Sequence, residues 1–432
     1  MSRRIAVLGA GALGLTAALR LAQRGHDVTV FEREAVAGGL AAGFQPAGPD
    51  GPWLEKFYHH LFRTDRHAVR LIEELGLGRD LAWHRPRTVV LHGGQLHQLD
   101  SVVSLLRFSP LSAWDRARMG IGLAYLKLLP SPERLEGARA GPWIRGQMGN
   151  AAADVVWEPL LRGKFGAAAE TIGLPWFWAR VHDRTTQLGY VQGGFQRVYE
   201  ALVAAIAASG GRVHLGREVT RIEQDGPGLL VAHALRGDAD ADVERFDEVL
   251  STLPTRLTAQ LAPDLPREWR EQYDPGPSLG AHCLILALDR PLTDAYWVNV
   301  NDPGFPFLAL VEHTNLRSAA EYGGQHLVYL GSYLKMDDPI LGTDPIQLLE
   351  EWMPMLQDIN PRLDRSWITR VWGFSAPFAQ PIVTVDYRSR IPPHRTTVPG
   401  LWLANMFQVY PHDRGQNYSI ELAERVVDEM TR

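Results

Sequence analysis

A glycine-rich turn near the start of the chain places the strongest constraint on its fold. Residues 5–8 form an aliphatic run typical of a buried parallel strand, and Gly9, Gly11 and Gly14 follow at the spacing of a dinucleotide-binding fingerprint. A helical pattern comes next, and a second predicted strand ends on Glu32. The glycines allow a tight turn and a close approach to a pyrophosphate, which the helix N-terminus attracts. Because Glu32 can bind ribose hydroxyls and its charge disfavours a 2′-phosphate, the unit predicts FAD or NAD rather than NADP.

The composition is that of a globular protein. The chain has 432 residues, 45% of them hydrophobic, and a net charge of −5, so no basic bias indicates nucleic acid. The single cysteine, Cys283, excludes an intrachain disulfide framework, and no apolar run is long enough to span a bilayer. We therefore expect a cytoplasmic protein. Asp100 and Glu158 lack metal-ligand spacing with the histidines, so we expect no metal.

A second glycine pair, Gly38 and Gly39, follows Glu32 after a short spacer. The acid, the spacer and the pair resemble the FAD-binding N-terminus of the amine oxidase, protoporphyrinogen oxidase and phytoene desaturase superfamily. A second glycine pair lets the backbone approach the far end of a long dinucleotide, which a nicotinamide dehydrogenase does not need. The resemblance implies FAD as cofactor and an α/β fold. A Rossmann-like FAD-binding domain would carry a second, α+β substrate domain built from insertions.

The C-terminal part resembles the second FAD motif of this superfamily. A predicted strand ends at Asn405, where the superfamily usually has an acid, and a predicted helix starts near residue 416. The resemblance implies that this helix N-terminus faces the pyrimidine end of the flavin, where its dipole would stabilise the anionic reduced ring. Residues 192–222 resemble the unit whose backbone at Val219 meets the adenine. The motifs together imply these cofactor-binding residues: Gly9, Gly11, Ala12, Leu13, Gly14, Glu32, Arg33, Gly38, Gly39, Leu40, His59, Val219, Asn405, Arg414, Asn417, Tyr418 and Ser419.

The same motifs set the expected domain boundaries. We expect a discontinuous FAD-binding domain formed by residues 1–85, 186–278 and 386–432. Residues 86–185 and 279–385 would form the substrate-binding domain. The sequence does not indicate the oligomeric state.

The substrate-facing residues are predicted with less sequence support. Residues 54–65 resemble the UDP-galactopyranose mutase segment that carries a histidine beside the flavin, which implies this role for His60; a hydrogen-bonded core histidine is the alternative. Tyr410 is expected near the ring, since mutases carry tyrosines that touch substrate in this region. Four further residues are predicted to contact substrate, with solvated side chains as the alternative: Lys164, Arg180, Arg184 and His412.

The resemblance implies an FAD-dependent oxidoreductase that removes hydride from a C–H bond to flavin N5, either next to nitrogen or within a hydrophobic carbon skeleton. One alternative is a UDP-galactopyranose mutase-like isomerase that uses reduced FAD, to which Glu312 and His313 would contribute an acid/base pair. Another is a non-catalytic flavin-binding protein. The partner would be a small-molecule substrate. Residues 119–129 predict an apolar helix that roofs a substrate cavity, with a peripheral membrane contact as the alternative.

Overall fold

The computed structural model describes residues 2–238 and 240–432. The α-helices are Ala12–Gln23, Arg66–Glu74, Val102–Leu106, Ala113–Leu128, Ala140–Met148, Asn150–Ala152, Glu158–Phe165, Leu174–His182, Gln196–Ala208, Thr255–Leu261, Arg267–Gln272, Pro345–Ile359 and Gln416–Met430, and Ala153–Trp157 is a π-helix. The strands are Arg4–Leu8, Asp27–Glu32, Gly43–Phe44, Leu54–Glu55, Leu61–Phe62, Leu81–His84, Thr88–His92, Gln95–Gln98, Leu188–Val191, Arg212–Leu215, Arg217–Asp225, Gly228–Leu235, Asp242–Phe246, Glu248–Ser251, Ser278–Leu288, Trp297–Val300, Ala309–Glu312, His326–Leu334, Ile368–Pro381 and Leu401–Leu403.

A five-stranded parallel sheet is built from widely separated parts of the chain. Its order is Arg212–Leu215, Asp27–Glu32, Arg4–Leu8, Glu248–Ser251 and Leu401–Leu403. The Arg4–Leu8 and Asp27–Glu32 strands are aliphatic and β-branched because both faces of the sheet are covered there. The Ala12–Gln23 helix packs against the helices Gln196–Ala208 and Gln416–Met430. This arrangement is the predicted Rossmann-like core.

A second, seven-stranded sheet lies apart from the parallel sheet in the strand pairing. Its order is Ile368–Pro381, Ser278–Leu288, His326–Leu334, Ala309–Glu312, Trp297–Val300, Thr88–His92 and Gln95–Gln98. Along the Ser278–Leu288 strand the side chains alternate between two cores, as strand geometry requires. Ile285 packs into the core shared with the parallel sheet, whereas Leu284 and Leu286 pack beneath the Pro345–Ile359 helix.

The helices between residues 102 and 182 form a third packed unit. The Ala113–Leu128 helix buries Met119 and Leu126 in this unit. None of its residues lines the cavity described below, so the structure does not place it as the expected roof. Across residues 2–238 and 240–432, no helix combines the length and the apolar character needed to cross a bilayer.

Candidate functional site

The first glycine turn leaves an open cradle at a helix N-terminus. Gly9 has a φ of +101°, and a Cβ on Gly14 would lie 2.0 Å from the Gly9 carbonyl oxygen, so both positions require glycine. Gly11, the N-cap of the Ala12–Gln23 helix, is different. A Cβ there would meet no described atom within 4 Å. The free space beside Gly11 therefore lies where the helix dipole attracts a phosphate. Ala12 and Leu13 form the first helical residues next to this space.

The second glycine pair is hydrogen-bonded to the first glycine turn. The Gly38 N–H donates to the Ala10 carbonyl at 2.8 Å, and Gly39 has a φ of +58°. The Glu32 carboxylate accepts hydrogen bonds from the N–H groups of Ala10 at 2.8 Å and Glu34 at 2.9 Å. Glu32 therefore orders the turn on one side.

Arg33 and Val219 lie at the outer edge of this region. Arg33 is exposed and pairs with Glu34 at 3.2 Å. Val219 packs in the same core as Phe31, in the three-stranded sheet next to the parallel sheet. The structure thus brings Val219 to the Glu32 side of the fold.

A cavity of about 210 Å³ lies between the seven-stranded sheet, the helical unit and the segment 57–62. Leu40 borders it on the side of the glycine turns, and the segment from Asp413 to Tyr418 borders it at the start of the Gln416–Met430 helix. Two buried donors here, Arg414 Nε and Gln416 Nε2, have no hydrogen-bond partner among the described residues. Unused donors at a helix N-terminus match the carbonyl acceptors of a flavin ring. The residues present therefore fit FAD along its length.

The side chains of the two asparagines predicted to bind FAD form hydrogen bonds to backbone groups of the protein. Asn405 Oδ1 accepts from the Phe407 N–H at 2.9 Å, and its Nδ2 donates to the Leu253 carbonyl at 2.8 Å. Asn417 borders the cavity, and its Oδ1 accepts from the His67 N–H at 2.9 Å. Ser419 lies in the first turn of the C-terminal helix, where its N–H donates to the Gly415 carbonyl.

The neighbouring histidines His59 and His60 both line the cavity. The Nδ1 atom of His59 lies 2.6 Å from the Phe57 carbonyl oxygen, so this nitrogen is the donor. His60 Nδ1 lies 3.2 Å from the Tyr296 hydroxyl. Burial lowers the pKa of His59 to about 4 and that of His60 to about 3. Both side chains are therefore neutral at pH 7.

A buried cluster of opposite charges, formed by Lys164, Arg180 and Asp413, forms one wall of the cavity. The Asp413 carboxylate accepts from Lys164 Nζ at 2.8 Å and from Arg180 at 3.2 Å. Burial alone would raise the pKa of Asp413, but Lys164, Arg180 and Arg414 hold it well below its usual value. Burial lowers the pKa of Lys164 to about 7 against the opposing effect of Asp413. The Asp413 carboxylate is therefore ionised at pH 7, whereas Lys164 changes between its charged and neutral forms near that pH.

Two more arginines give the cavity lining four basic side chains against the three carboxylates of Asp65, Asp183 and Asp413, which leaves one net positive charge. Arg184 and Arg414 line the cavity, and in the part of the chain that the structure describes neither forms an ion pair. The Arg414 guanidinium donates to the Tyr333 hydroxyl at 2.8 Å. On the other side, Asp183 accepts from His412 at 2.7 Å and from the Tyr418 hydroxyl at 2.6 Å. His412 therefore does not line the cavity itself, but it contacts Asp183, which does.

The structure does not bring Tyr410 to the cavity. Its hydroxyl donates to Glu136 at 2.8 Å, and its ring stacks on Tyr387 in the helical unit. The expectation that Tyr410 lies beside the ring is corrected accordingly. Glu312 and His313 are also structural: Glu312 accepts from the Leu292 and Thr293 N–H groups, and His313 is bonded to Tyr322.

Several cavity residues carry no sequence signal that we used. Asp183 lies between two predicted arginines, and Asp413 lies directly before Arg414, so charge alternation in both segments was the available signal. Tyr333 and Trp297 come from strands of the seven-stranded sheet, and strand periodicity alone does not mark them as cavity residues.

Phytoene desaturases are among the sequence relatives of this chain. The 15-cis-phytoene desaturase of Glycine max is 24% identical over 285 residues, which cover 60% of this chain and 49% of that protein. The 15-cis-phytoene desaturase of Synechococcus elongatus is 23% identical over 323 residues, 67% of this chain and 66% of that protein. The chain spans about half the length of the plant desaturases that it matches.

Solved structures share the fold over the whole chain. A putative protoporphyrinogen oxidase from Exiguobacterium sp. 255-15 has a TM-score of 0.76 at 19% identity, covering 100% of this chain and 99% of that one. Reduced UDP-galactopyranose mutase has a TM-score of 0.77 at 15% identity, covering 100% and 96%. Putrescine oxidase bound to putrescine has a TM-score of 0.70 at 15% identity, covering 100% of both chains.

The family model described as flavin containing amine oxidoreductase matches residues 14–412, which is most of the chain. The protein therefore belongs to the family of flavin containing amine oxidoreductases, and the predicted α/β fold, FAD cofactor and oxidoreductase class are confirmed.

Proposed function

We propose that the protein oxidises a C–H bond within the carbon skeleton of a small organic substrate that carries a carboxylate or phosphate group. Bound FAD supplies the acceptor for the hydride, and the protein supplies binding, orientation and exclusion of water. The observation that carries this proposal is the surplus of positive charge in the cavity. Arg184 and Arg414 lack a carboxylate partner among the residues described.

The charges of the cavity favour an anion over a protonated amine. Lys164 and Arg180 share the Asp413 carboxylate, so the single charge of Asp413 does not balance them. Four basic side chains line the cavity against the carboxylates of Asp65, Asp183 and Asp413, so a cationic amine would add to a lining that is already positive by one charge. A carboxylate or phosphate would instead accept the bidentate hydrogen bonds that guanidinium groups offer.

The rest of the wall suits an apolar skeleton. Phe57, Trp297 and Leu308 line the cavity, and neutral His59 and His60 add aromatic surface without charge. These side chains would hold the reacting carbon in a site that excludes water. His60, fixed by the Tyr296 hydroxyl at 3.2 Å, would orient the substrate as a neutral hydrogen-bonding group.

A matched set of substrates tests this proposal. Polyenes with one carbon skeleton, ending in a carboxylate, an alcohol or an amine, are added anaerobically to the FAD-loaded protein. We expect the carboxylate to bleach the flavin absorbance near 450 nm fastest, on the order of tenfold over the alcohol. Arg184→Gln should remove this preference, whereas Arg267→Gln, at a side chain with 86% exposure, should keep it. Bleaching by the amine alone would contradict the proposal.

A nucleotide-sugar mutase is the second candidate, because the same cationic wall would also hold a pyrophosphate. Arg180 and Arg184, both predicted to contact substrate, line the cavity and would hold the phosphates. Here we expect turnover of a UDP-sugar only after the flavin has been reduced with dithionite, with no net redox change. Oxidised protein that is bleached by an organic carboxylate would exclude this candidate.

A further inference from the structure

Two neighbouring helices in the substrate-side helical unit expose an apolar surface. Gly120 of the Ala113–Leu128 helix lies against Leu105 of the Val102–Leu106 helix, since a Cβ on Gly120 would lie 3.5 Å from Leu105 Cδ2. Arg116 also donates to the Leu106 carbonyl at 2.6 Å. We call this pair the docking surface; its exposed large side chains are Val102, Val103, Leu106, Trp114, Ile121, Tyr125 and Leu128, with exposed fractions from 48% to 82%.

The exposed side chains of the longer helix form one stripe. Trp114, Ile121, Tyr125 and Leu128 recur at helical spacing on one face, whereas Met119 on another face is buried. The Ala113–Leu128 helix therefore packs against the protein core through its buried face. The outward stripe is a second apolar face without a described partner, and such patches mark interaction sites.

The charge of the docking surface is opposite to that of the whole protein. Residues 102–128 contain four basic side chains, Arg107, Arg116, Arg118 and Lys127, against the single acid Asp115, which gives +3 in a chain of net charge −5. Within the described residues, none of the four basic side chains forms an ion pair.

We propose that the docking surface binds the interface of a bilayer that contains anionic phospholipids. The Ala113–Leu128 helix would lie in the plane of the membrane, with its stripe among the acyl chains. Arg116, Arg118 and Lys127 donate to backbone carbonyls, so no acid compensates their charge, and this net positive charge would attract the anionic headgroups. Trp114 and Tyr125 have the amphipathic rings that favour this interface. Pairing of two copies through this surface would oppose two sets of four cations, so a second copy fits less well.

The docking surface is joined to the cavity wall. Lys127 Nζ donates to the Arg184 carbonyl at 2.7 Å, and Trp178 Nε1 donates to the Leu129 carbonyl at 3.0 Å. The segment that ends the docking surface thus contacts the segment that carries Arg180 and Arg184. Docking would bring the cavity close to the membrane, but it does not depend on which reaction the cavity carries out.

Vesicle sedimentation of the FAD-loaded protein tests this inference. The probes are vesicles of phosphatidylcholine alone and of phosphatidylcholine with phosphatidylglycerol. We expect the anionic vesicles to bind about tenfold more tightly, with weakening as salt is raised. The double variant Ile121→Ser, Leu128→Ser should reduce binding about tenfold or more.

The matched control is Ile346→Ser, because Ile346 is 58% exposed on a helix outside the docking surface. It should bind vesicles like the unchanged protein. Thermal unfolding and the flavin spectrum report whether each variant is folded, independently of activity. Absence of vesicle binding by the unchanged protein would overturn the inference. So would equal binding to neutral vesicles, or a dimer in sedimentation velocity that the double variant converts to a monomer.

Discussion

Lys164 Nζ donates a hydrogen bond at 2.8 Å to the Asp413 carboxylate, which is 249 residues away in the chain. Lys164 is almost fully buried, and its ammonium lies 5.3 Å from the centres of the Trp176 and Tyr333 rings. The contact fastens the helical unit to the segment before the C-terminal helix. It thereby fixes one wall of the cavity.

Removing the carboxylate of this pair should destabilise the fold. In Asp413→Asn, the buried charges of Lys164 and Arg180 lose their partner, so we expect a loss of about 3–5 kcal/mol in the free energy of unfolding. Urea unfolding followed by tryptophan fluorescence measures it. The control is Asp154→Asn, whose side chain is 58% exposed and pairs with Arg145 at the surface; it should cost less than about 1 kcal/mol. Equal losses in the two variants would contradict this view of Asp413.

Lys164 should make the binding of an anionic substrate depend on pH near neutrality. Its pKa is lowered to about 7 by burial, with Asp413 opposing the shift and Arg180 and Arg414 adding to it. The ammonium is charged below pH 7 and neutral above it. KM for the carboxylate substrate should therefore rise as pH increases through about 7. In Lys164→Met this rise should disappear; an unchanged pH profile of KM in that variant would exclude the role.

The two glycines of the first turn should respond differently to alanine. In Gly14→Ala the new Cβ collides with the Gly9 carbonyl, so we expect a lower melting temperature and poor folding. Gly11→Ala meets no described atom and has a φ of −79°, so it should fold normally. It should nevertheless lose FAD affinity by about tenfold or more, because the methyl group enters the phosphate space. Fluorescence titration with FAD and calorimetry separate the two effects.

Tyr410→Phe should leave turnover nearly unchanged. The variant loses one hydrogen bond to Glu136 outside the cavity, which should cost about 1 kcal/mol of stability. Stopped-flow reduction of the flavin measures the rate. His60→Phe, which alters a cavity residue, is the comparison and should slow reduction. A tenfold slower reduction of the flavin in Tyr410→Phe would contradict this prediction and indicate that Tyr410 takes part in the reaction.

The fold could be predicted from the sequence where local rules decide it. The turn requires glycine at Gly9, whose φ is +101°, and at Gly14, which lies against the Gly9 carbonyl; both constraints act within a few residues, and the acid at Glu32 follows from the same unit. The seven-stranded sheet depends on pairings between distant segments, such as Thr88–His92 with Trp297–Val300, which no local pattern specifies.

The site could be predicted less fully, because long-range contacts assemble it. Lys164, Arg180 and Arg184 were named from residue type, but the sequence does not show that Asp413 joins them from the far end of the chain. Tyr410 was misplaced for the same reason. Its phenol turns to Glu136 in the helical unit, and no pattern within its own segment specifies that partner.

The order of strands in the parallel sheet has a consequence for biosynthesis. Arg4–Leu8 pairs with Glu248–Ser251, which in turn pairs with Leu401–Leu403 at the sheet edge. The Arg4–Leu8 strand leaves the ribosome before the edge strand and the Gln416–Met430 helix, which are translated about 400 residues later. A nascent chain thus carries the phosphate cradle long before it carries the wall that meets the flavin ring. We therefore expect FAD to be held along its whole length only after the Gln416–Met430 helix has been made, with the parallel sheet incomplete until then.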